Sequence, residues 1–173
     1  MFENIAQKPY IHSMLYSTVM REVVLILHNI RSTYNVGSIF RTADAAGVSR
    51  IYLTGYTPAP KDRFGRARKD IAKTALGAEN YIPWERGEVG NVIAKLRQKD
   101  FEITAVEQDI RAISVYEYKP RRKVALIFGN EVRGVSKELC SRSDVVVSIP
   151  MQGRKESLNV SVSVGVSLFI LLR

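Results

Sequence analysis

Along this chain, short runs that are apolar at every position alternate with stretches in which apolar residues recur at helical spacing. Val23-Val24-Leu25-Ile26-Leu27 is the first such run, ending at His28-Asn29. Apolarity without alternation suits a strand covered on both faces. Asn35-Val36-Gly37-Ser38 then opens a helix through Ile39, Phe40, Ala43 and Ala46, with Gly47 as its stop. Arg50 to Gly55 is the next strand, which completes a β-α-β unit. Beyond it the pattern predicts a short helix over Asp70 to Leu76 ended by Gly77, and a strand over Tyr81 to Trp84. A helix over Gly90 to Lys99 follows, then a strand over Phe101 to Val106 and an irregular stretch to Lys119. Val124 to Phe128 and Val145 to Ile149 repeat the two-sided apolar run, with a short helix from Val135 to Ser141 between them that Ser136 is placed to cap. The class is α/β: a mostly parallel sheet with helices on both faces.

The C-terminal segment has two readings. Val160, Val162, Val164 and Val166 alternate with Ser161, Ser163, Gly165 and Ser167, which on period alone favours a strand. Against it, Ser157 or Asn159 could cap a helix, and Ser161 with Gly165 places small residues four apart, as close helix packing requires.

Length and composition narrow the picture. The 173 residues, 46% of them apolar, fit one domain with a real core: a short N-terminal arm over 1–22 and a main body over 23–173. There is no apolar run of about 18 residues and no basic-then-apolar start, so the expectation is a cytoplasmic protein without a membrane span. Cys140 is the only cysteine and His12 and His28 the only histidines, which excludes an internal disulfide and argues against a metal centre. Lysine and arginine outnumber aspartate and glutamate by 26 to 17, a net charge of +9 that favours a polyanionic partner such as nucleic acid.

Ligands of open α/β sheets settle beyond the carboxyl ends of the strands. Two neighbouring runs here end in polar turn formers, Gly129-Asn130-Glu131 and Ile149-Pro150-Met151. The loop from Tyr56 to Lys69 carries Lys61, Arg63, Arg66 and Arg68 around Phe64, with Asp62 as its only acid. Interleaved cations and an aromatic suit a flexible nucleic-acid clamp or, more plainly, a solvated loop. No G-x-G-x-x-G, G-x-x-x-x-G-K-[ST] or G-x-S-x-G motif is present, so dinucleotide, P-loop and α/β-hydrolase chemistry have no anchor.

Three motifs remain: Asn35-Val36-Gly37-Ser38-Ile39-Phe40-Arg41-Thr42-Ala43-Asp44, Ile127-Phe128-Gly129-Asn130-Glu131-Val132-Arg133-Gly134, and Ile149-Pro150-Met151 with Ser157-Leu158-Asn159-Val160-Ser161. In this order and spacing the chain, from about Val23 to its end, resembles the SpoU/TrmH branch of the SPOUT superfamily of RNA methyltransferases. The resemblance implies a deep trefoil knot in roughly 124–173, an exception to unknotted topology, and a helix rather than a strand after Asn159. It also implies a homodimer that binds S-adenosylmethionine in the knot and methylates a ribose 2′-hydroxyl of tRNA or rRNA. The cofactor would lie on loop backbone at Gly129, Ile149, Met151 and Leu158, with Val106, in the strand end from Ala105 to Glu107, nearby. Apolar side chains on tight loops suit adenine, and Gly129 would let backbone approach closely.

The same resemblance implies roles. Arg41 would stand at the catalytic centre as a base or a phosphate anchor; a pKa of about 12.5 to 13.8 makes the anchor the better reading. Asn35 would hold substrate or orient Arg41, or simply cap its helix. Glu131 would belong to the active site, pairing with Arg41 within or across subunits, or else be a solvated loop acid. Ser157 and Asn159 would approach cofactor and ribose, or cap the last helix. Arg133 and Arg154, with the Tyr56 to Lys69 loop, would contact RNA, while His28 reads as a structural histidine. Many relatives add a separate N-terminal RNA-binding domain, so the expectation here is that the catalytic domain itself holds the RNA. The competing readings are a non-catalytic RNA-binding dimer and methylation of a base atom.

Overall fold

The computed structural model describes residues 21–172. The expected arm over 1–22 therefore lies almost wholly outside the described residues, and strand β1 (Glu22–His28) begins at its last position. There follow α1 (Thr33–Ala46), β2 (Arg50–Thr54), α2 (Lys69–Ala75), β3 (Trp84–Gly87), α3 (Val89–Arg97), β4 (Glu102–Val106), β5 (Ile113–Ser114), β6 (Lys123–Phe128), α4 (Lys137–Arg142), β7 (Val145–Ser148) and α5 (Val160–Leu171). The strands form one sheet in the order β3-β2-β1-β6-β4-β7-β5, and every pairing is parallel.

The unbroken apolar runs are explained by two cores. Val23, Leu25 and Leu27 of β1 point with Val124, Leu126 and Phe128 of β6 toward α1, α2 and α5. Val24 and Ile26, with Ala125 and Ile127, point the other way, toward Val92, Ile93 and Leu96 of α3 and Leu139 and Cys140 of α4. Successive strand residues face opposite sides, so both sides must be apolar when both are covered. Each fully buried side chain of this kind contributes about 1.5–3 kcal/mol.

Several boundaries differ from expectation. Helix α1 starts two residues early because Ser32 caps it, its Oγ accepting the Asn35 N–H at 3.2 Å. Asn35 is therefore in the first turn and is not the cap. The strand expected over Tyr81 to Trp84 forms instead at Trp84–Gly87, because Ala78–Asn80 is a 3-10 turn and pairing with β2 begins at Trp84. The irregular stretch before Lys119 holds the two-residue edge strand β5, too short to leave a pattern.

The C-terminal alternation is overruled: α5 is a helix, capped by Asn159, whose Oδ1 accepts the Ser161 N–H at 2.8 Å. Its buried residues Val160, Val164, Ser167, Leu168 and Leu171 have helical spacing. At Gly165 an added β-carbon would touch Thr42 of α1 at 3.6 Å, so the small residue lies against the neighbouring helix.

Candidate active site

The carboxyl ends of β4, β6 and β7 converge on a cavity of about 200 Å³. Val106, Gly129, Ile149, Met151 and Leu158, the residues expected to hold a cofactor, all line it, and so do Glu131, Arg133 and Ser157. Its walls combine apolar side chains with loop backbone and a few polar side chains, a lining that fits an adenosyl group. Among the described residues there is no group of histidine, cysteine and carboxylate side chains able to hold a metal, and no helix long and apolar enough to cross a membrane.

The loop after β6 is closed by its own backbone. Asn130 N–H donates to the Gly134 carbonyl at 3.1 Å and Gly134 N–H to the Asn130 carbonyl at 2.8 Å. Asn130 Oδ1 accepts from the N–H groups of Val132 and Arg133, both at 2.9 Å, while its Nδ2 donates to the Asn29 carbonyl and the Tyr56 hydroxyl, both at 3.0 Å. A β-carbon on Gly129 would collide with the Gly134 carbonyl. The close approach expected at Gly129 is thus within its own loop.

Two residues to which the sequence assigned no role, Glu107 and Gln108, organise this end of the sheet. Glu107 Oε2 accepts the Val135 N–H at 2.6 Å and its Oε1 the Gln108 N–H at 2.8 Å; Gln108 Nε2 donates to the Ile149 carbonyl at 2.8 Å. Together they tie the ends of β4, β6 and β7. The signal in the sequence is modest: a carboxylate directly after a fully apolar strand end, on the ligand side of the sheet.

A polar ladder joins the three motifs. The Glu131 carboxylate accepts from the N–H groups of Arg31, at 3.2 and 3.0 Å, and Ser32, at 3.0 Å, and from Asn35 Nδ2 at 3.0 Å. Asn35 Oδ1 in turn accepts from Asn159 Nδ2 at 3.2 Å. Burial pushes the Glu131 carboxyl upward, but the Arg31 and Ser32 N–H groups and the Asn35 amide outweigh it and hold its pKa below the ordinary value. Glu131 is an anion at the start of α1, where the helix dipole also favours it.

Arg41 stands apart. It is exposed on α1 and lines a groove of about 480 Å³ with Lys73, Leu76 and Phe169. The expected pairing of Glu131 with Arg41 within the subunit is not formed; Glu131 spends its oxygens on Arg31, Ser32 and Asn35 instead. Ser157 reaches the cavity wall, whereas Arg154 is exposed outside it.

The basic loop, read from sequence as a nucleic-acid clamp or a solvated loop, is folded back on itself as a hairpin. Lys61 bridges Ala67, and Asp62 accepts from the N–H groups of Phe64 at 2.8 Å and Arg66 at 3.0 Å and from Arg66 Nε at 2.9 Å. His28 is structural: Nδ1 bonds Thr54 Oγ1 and Nε2 the Asn29 amide, each at 2.9 Å, and burial lowers its pKa against the pull of Glu88.

The model of the SpoU rRNA Methylase family matches residues 22–169. The chain belongs to this family. It is 33% identical over 152 residues to the 23S rRNA (guanosine-2'-O-)-methyltransferase RlmB of Xylella fastidiosa (strain 9a5c), a match covering 87% of this chain and 58% of that protein. The chain thus spans less than two thirds of the length of the curated SpoU relatives it matches. Among solved structures it superposes on an AdoMet-bound rRNA methyltransferase from Sinorhizobium meliloti with a TM-score of 0.79 at 29% identity, covering 87% of this chain and 55% of the other. A structure concerned with 2-OH methylation of C/U34 on tRNA matches with a TM-score of 0.72 at 25% identity, covering 86% of this chain and 93% of its own. The SpoU assignment and the parallel sheet agree, since the solved relatives superpose on the same fold.

Proposed function

We propose that this chain is an S-adenosylmethionine-dependent RNA methyltransferase that acts on a ribose 2′-hydroxyl of tRNA or rRNA. One observation carries the reading: the cavity at the β4, β6 and β7 ends gathers Val106, Gly129, Ile149, Met151 and Leu158, and the Glu131–Asn35–Asn159 ladder fixes α1, the helix bearing Arg41, to that cavity's loops. RNA relatives supply the substrate class, since one is a 23S rRNA guanosine enzyme and one structure concerns tRNA position C/U34.

When bound, S-adenosylmethionine supplies an electrophilic methyl group on a sulfonium. The protein's part is positioning. Apolar walls at Ile149, Met151 and Leu158 exclude water from the adenosyl side. Arg41 anchors a phosphate of the target nucleotide through paired hydrogen bonds, and Asn35 holds its helix in register with the cavity. Glu131, with its oxygens already accepting protein N–H groups, acts as a fixed anion and leaves proton removal to another group. Ser157, Asn159, Arg133 and Arg154 complete the substrate side, and the hairpin residues Lys61, Arg63, Arg66 and Arg68 contact the RNA.

The proposal includes a homodimer in the cytoplasm and a trefoil knot in roughly 124–173. The groove beside Arg41 exposes 55% of Phe169 and 65% of Leu76, which a second copy would cover, bringing the Arg41 face toward the partner's cavity. The sheet order supports the knot, because β4, made earlier in the chain, lies between β6 and β7.

Transfer of labelled methyl from S-adenosylmethionine to bulk tRNA and, separately, bulk rRNA tests the reading, followed by digestion and identification of the methylated nucleoside. Label on a 2′-O-methyl nucleoside in one pool is expected. Label on a base would overturn the ribose assignment, and cofactor that fails to bind would leave a non-catalytic RNA binder.

A further inference from the structure

Away from the cavity, two features adjoin at Lys61. The first is the hairpin from Lys61 to Ala67, at whose tip Phe64 is 66% exposed. The guanidinium carbons of Arg63 and Arg66 lie 4.7 and 4.9 Å from its ring centroid, so an aromatic plane and two planar cations form one π-surface. The second is a groove of about 340 Å³ lined by Lys61, Glu79, Tyr81 and Trp84, where Tyr81 is 76% exposed. Phe64 and Tyr81 are thus two exposed aromatics beside one cluster of cations, with Trp84 half-buried in the groove wall and packed against the core. Adjoining apolar surface of this kind marks an interaction site where single exposed residues do not.

We infer that this surface binds unpaired nucleotides flanking the methylated one, their bases stacking on Phe64 with its guanidiniums and in the Tyr81–Trp84 groove. The inference rests on the RNA methyltransferase reading and adds to it the substrate form, a single-stranded loop segment. Charge complementarity selects the occupant. Asp62, the one acid of the hairpin, is consumed by Phe64, Arg66 and the turn, leaving Lys61, Arg63, Arg68 and Lys69 for phosphates. Bases stack on aromatic and guanidinium planes only when unpaired, because a duplex hides those faces. Glu79 lines the same groove, where its Oε1 accepts from Asn80 Nδ2 at 3.4 Å, and a carboxylate there is an acceptor suited to a base's exocyclic amine. The surface is also within reach of the cavity. Tyr56 is hydrogen bonded to Asn130 on the cavity wall, and the five residues from there to Lys61 span no more than about 18 Å.

Trp84 is the only tryptophan, so its fluorescence reports on the groove alone. A single-stranded cytidine oligonucleotide of about eight nucleotides and a duplex of equal length are titrated against the full chain, with affinity followed by anisotropy of the labelled RNA. Quenching of Trp84 by the single strand is expected, with Phe64→Ala and Tyr81→Ala each weakening it about tenfold and Phe64→Tyr and Tyr81→Phe restoring it. Unquenched Trp84, equal loss for single strand and duplex, or no recovery in the conservative variants would overturn the inference. So would altered oligomeric state in the alanine variants with RNA binding unchanged, which would assign the surface to a second copy. S-adenosylmethionine calorimetry on the same variants keeps the two readings apart: intact oligonucleotide binding without cofactor binding defeats the enzyme and spares this surface.

Discussion

Asn35 donates a 3.0 Å hydrogen bond to Glu131, a residue 96 positions away, and so clips the first turn of α1 to the loop after β6. The same side chain accepts from Asn159, the cap of α5. Asn35→Ala removes both links while leaving the Arg31 and Ser32 bonds to Glu131 in place. A loss of about 1 kcal/mol is expected in urea unfolding, with a much larger fall in methyl transfer. Asn35→Asp should be worse than alanine, because it sets a second carboxylate against Glu131. Equal transfer by wild type and Asn35→Ala would show that the ladder has no part in positioning.

Glu131→Gln tests the anion at the start of α1. The folded pKa of Glu131 lies below its ordinary value of 4.5, so its ionisation favours the folded state. That contribution is complete above pH 4.5 and is lost as pH falls through the folded pKa. Wild type should therefore be more stable than Glu131→Gln at neutral pH, and the gap should narrow only below pH 4.5. Urea midpoints across the acid range measure this; a gap that does not change with pH would assign the difference to shape rather than charge.

Gly129→Ala forces a β-carbon onto the Gly134 carbonyl. Opening of the loop after β6 is expected, at about 1–3 kcal/mol in stability, with S-adenosylmethionine affinity falling in parallel because the same loop forms the cavity wall. Thermal unfolding and calorimetry on one preparation would reveal an unperturbed loop if neither quantity moves.

Arg41→Ala should separate folding from function. Arg41 is exposed and has no ion pair among the described residues, so stability should stay within about 0.5 kcal/mol. Turnover should vanish while S-adenosylmethionine affinity stays within a few fold. Loss of cofactor binding and stability together would remove Arg41 from the role of phosphate anchor.

How much of this was legible in the chain follows from the range of each interaction. Val23 to Leu27 and Val124 to Phe128 identified themselves as strands covered on both sides, because both neighbours of every strand residue must be apolar when both faces are buried. Gly47 through its backbone N–H, and Ser136 through its side-chain Oγ, marked helix ends by bonds to groups within a few residues. The cavity residues at Gly129, Ile149 and Met151 were visible because turn formers after a buried run mark where a strand stops. Tertiary structure alone decided the rest. The Val-Ser-Gly segment from Val160 satisfies strand alternation and helix spacing at once, and packing against α1, with Asn159 as cap, selected the helix. The hydrogen bonds of Asn35 to Glu131 and Asn159, and of Glu107 to Val135, join residues 96, 124 and 28 positions apart. No local periodicity carries such contacts, because they exist only after the parallel sheet has brought its strand ends to one edge.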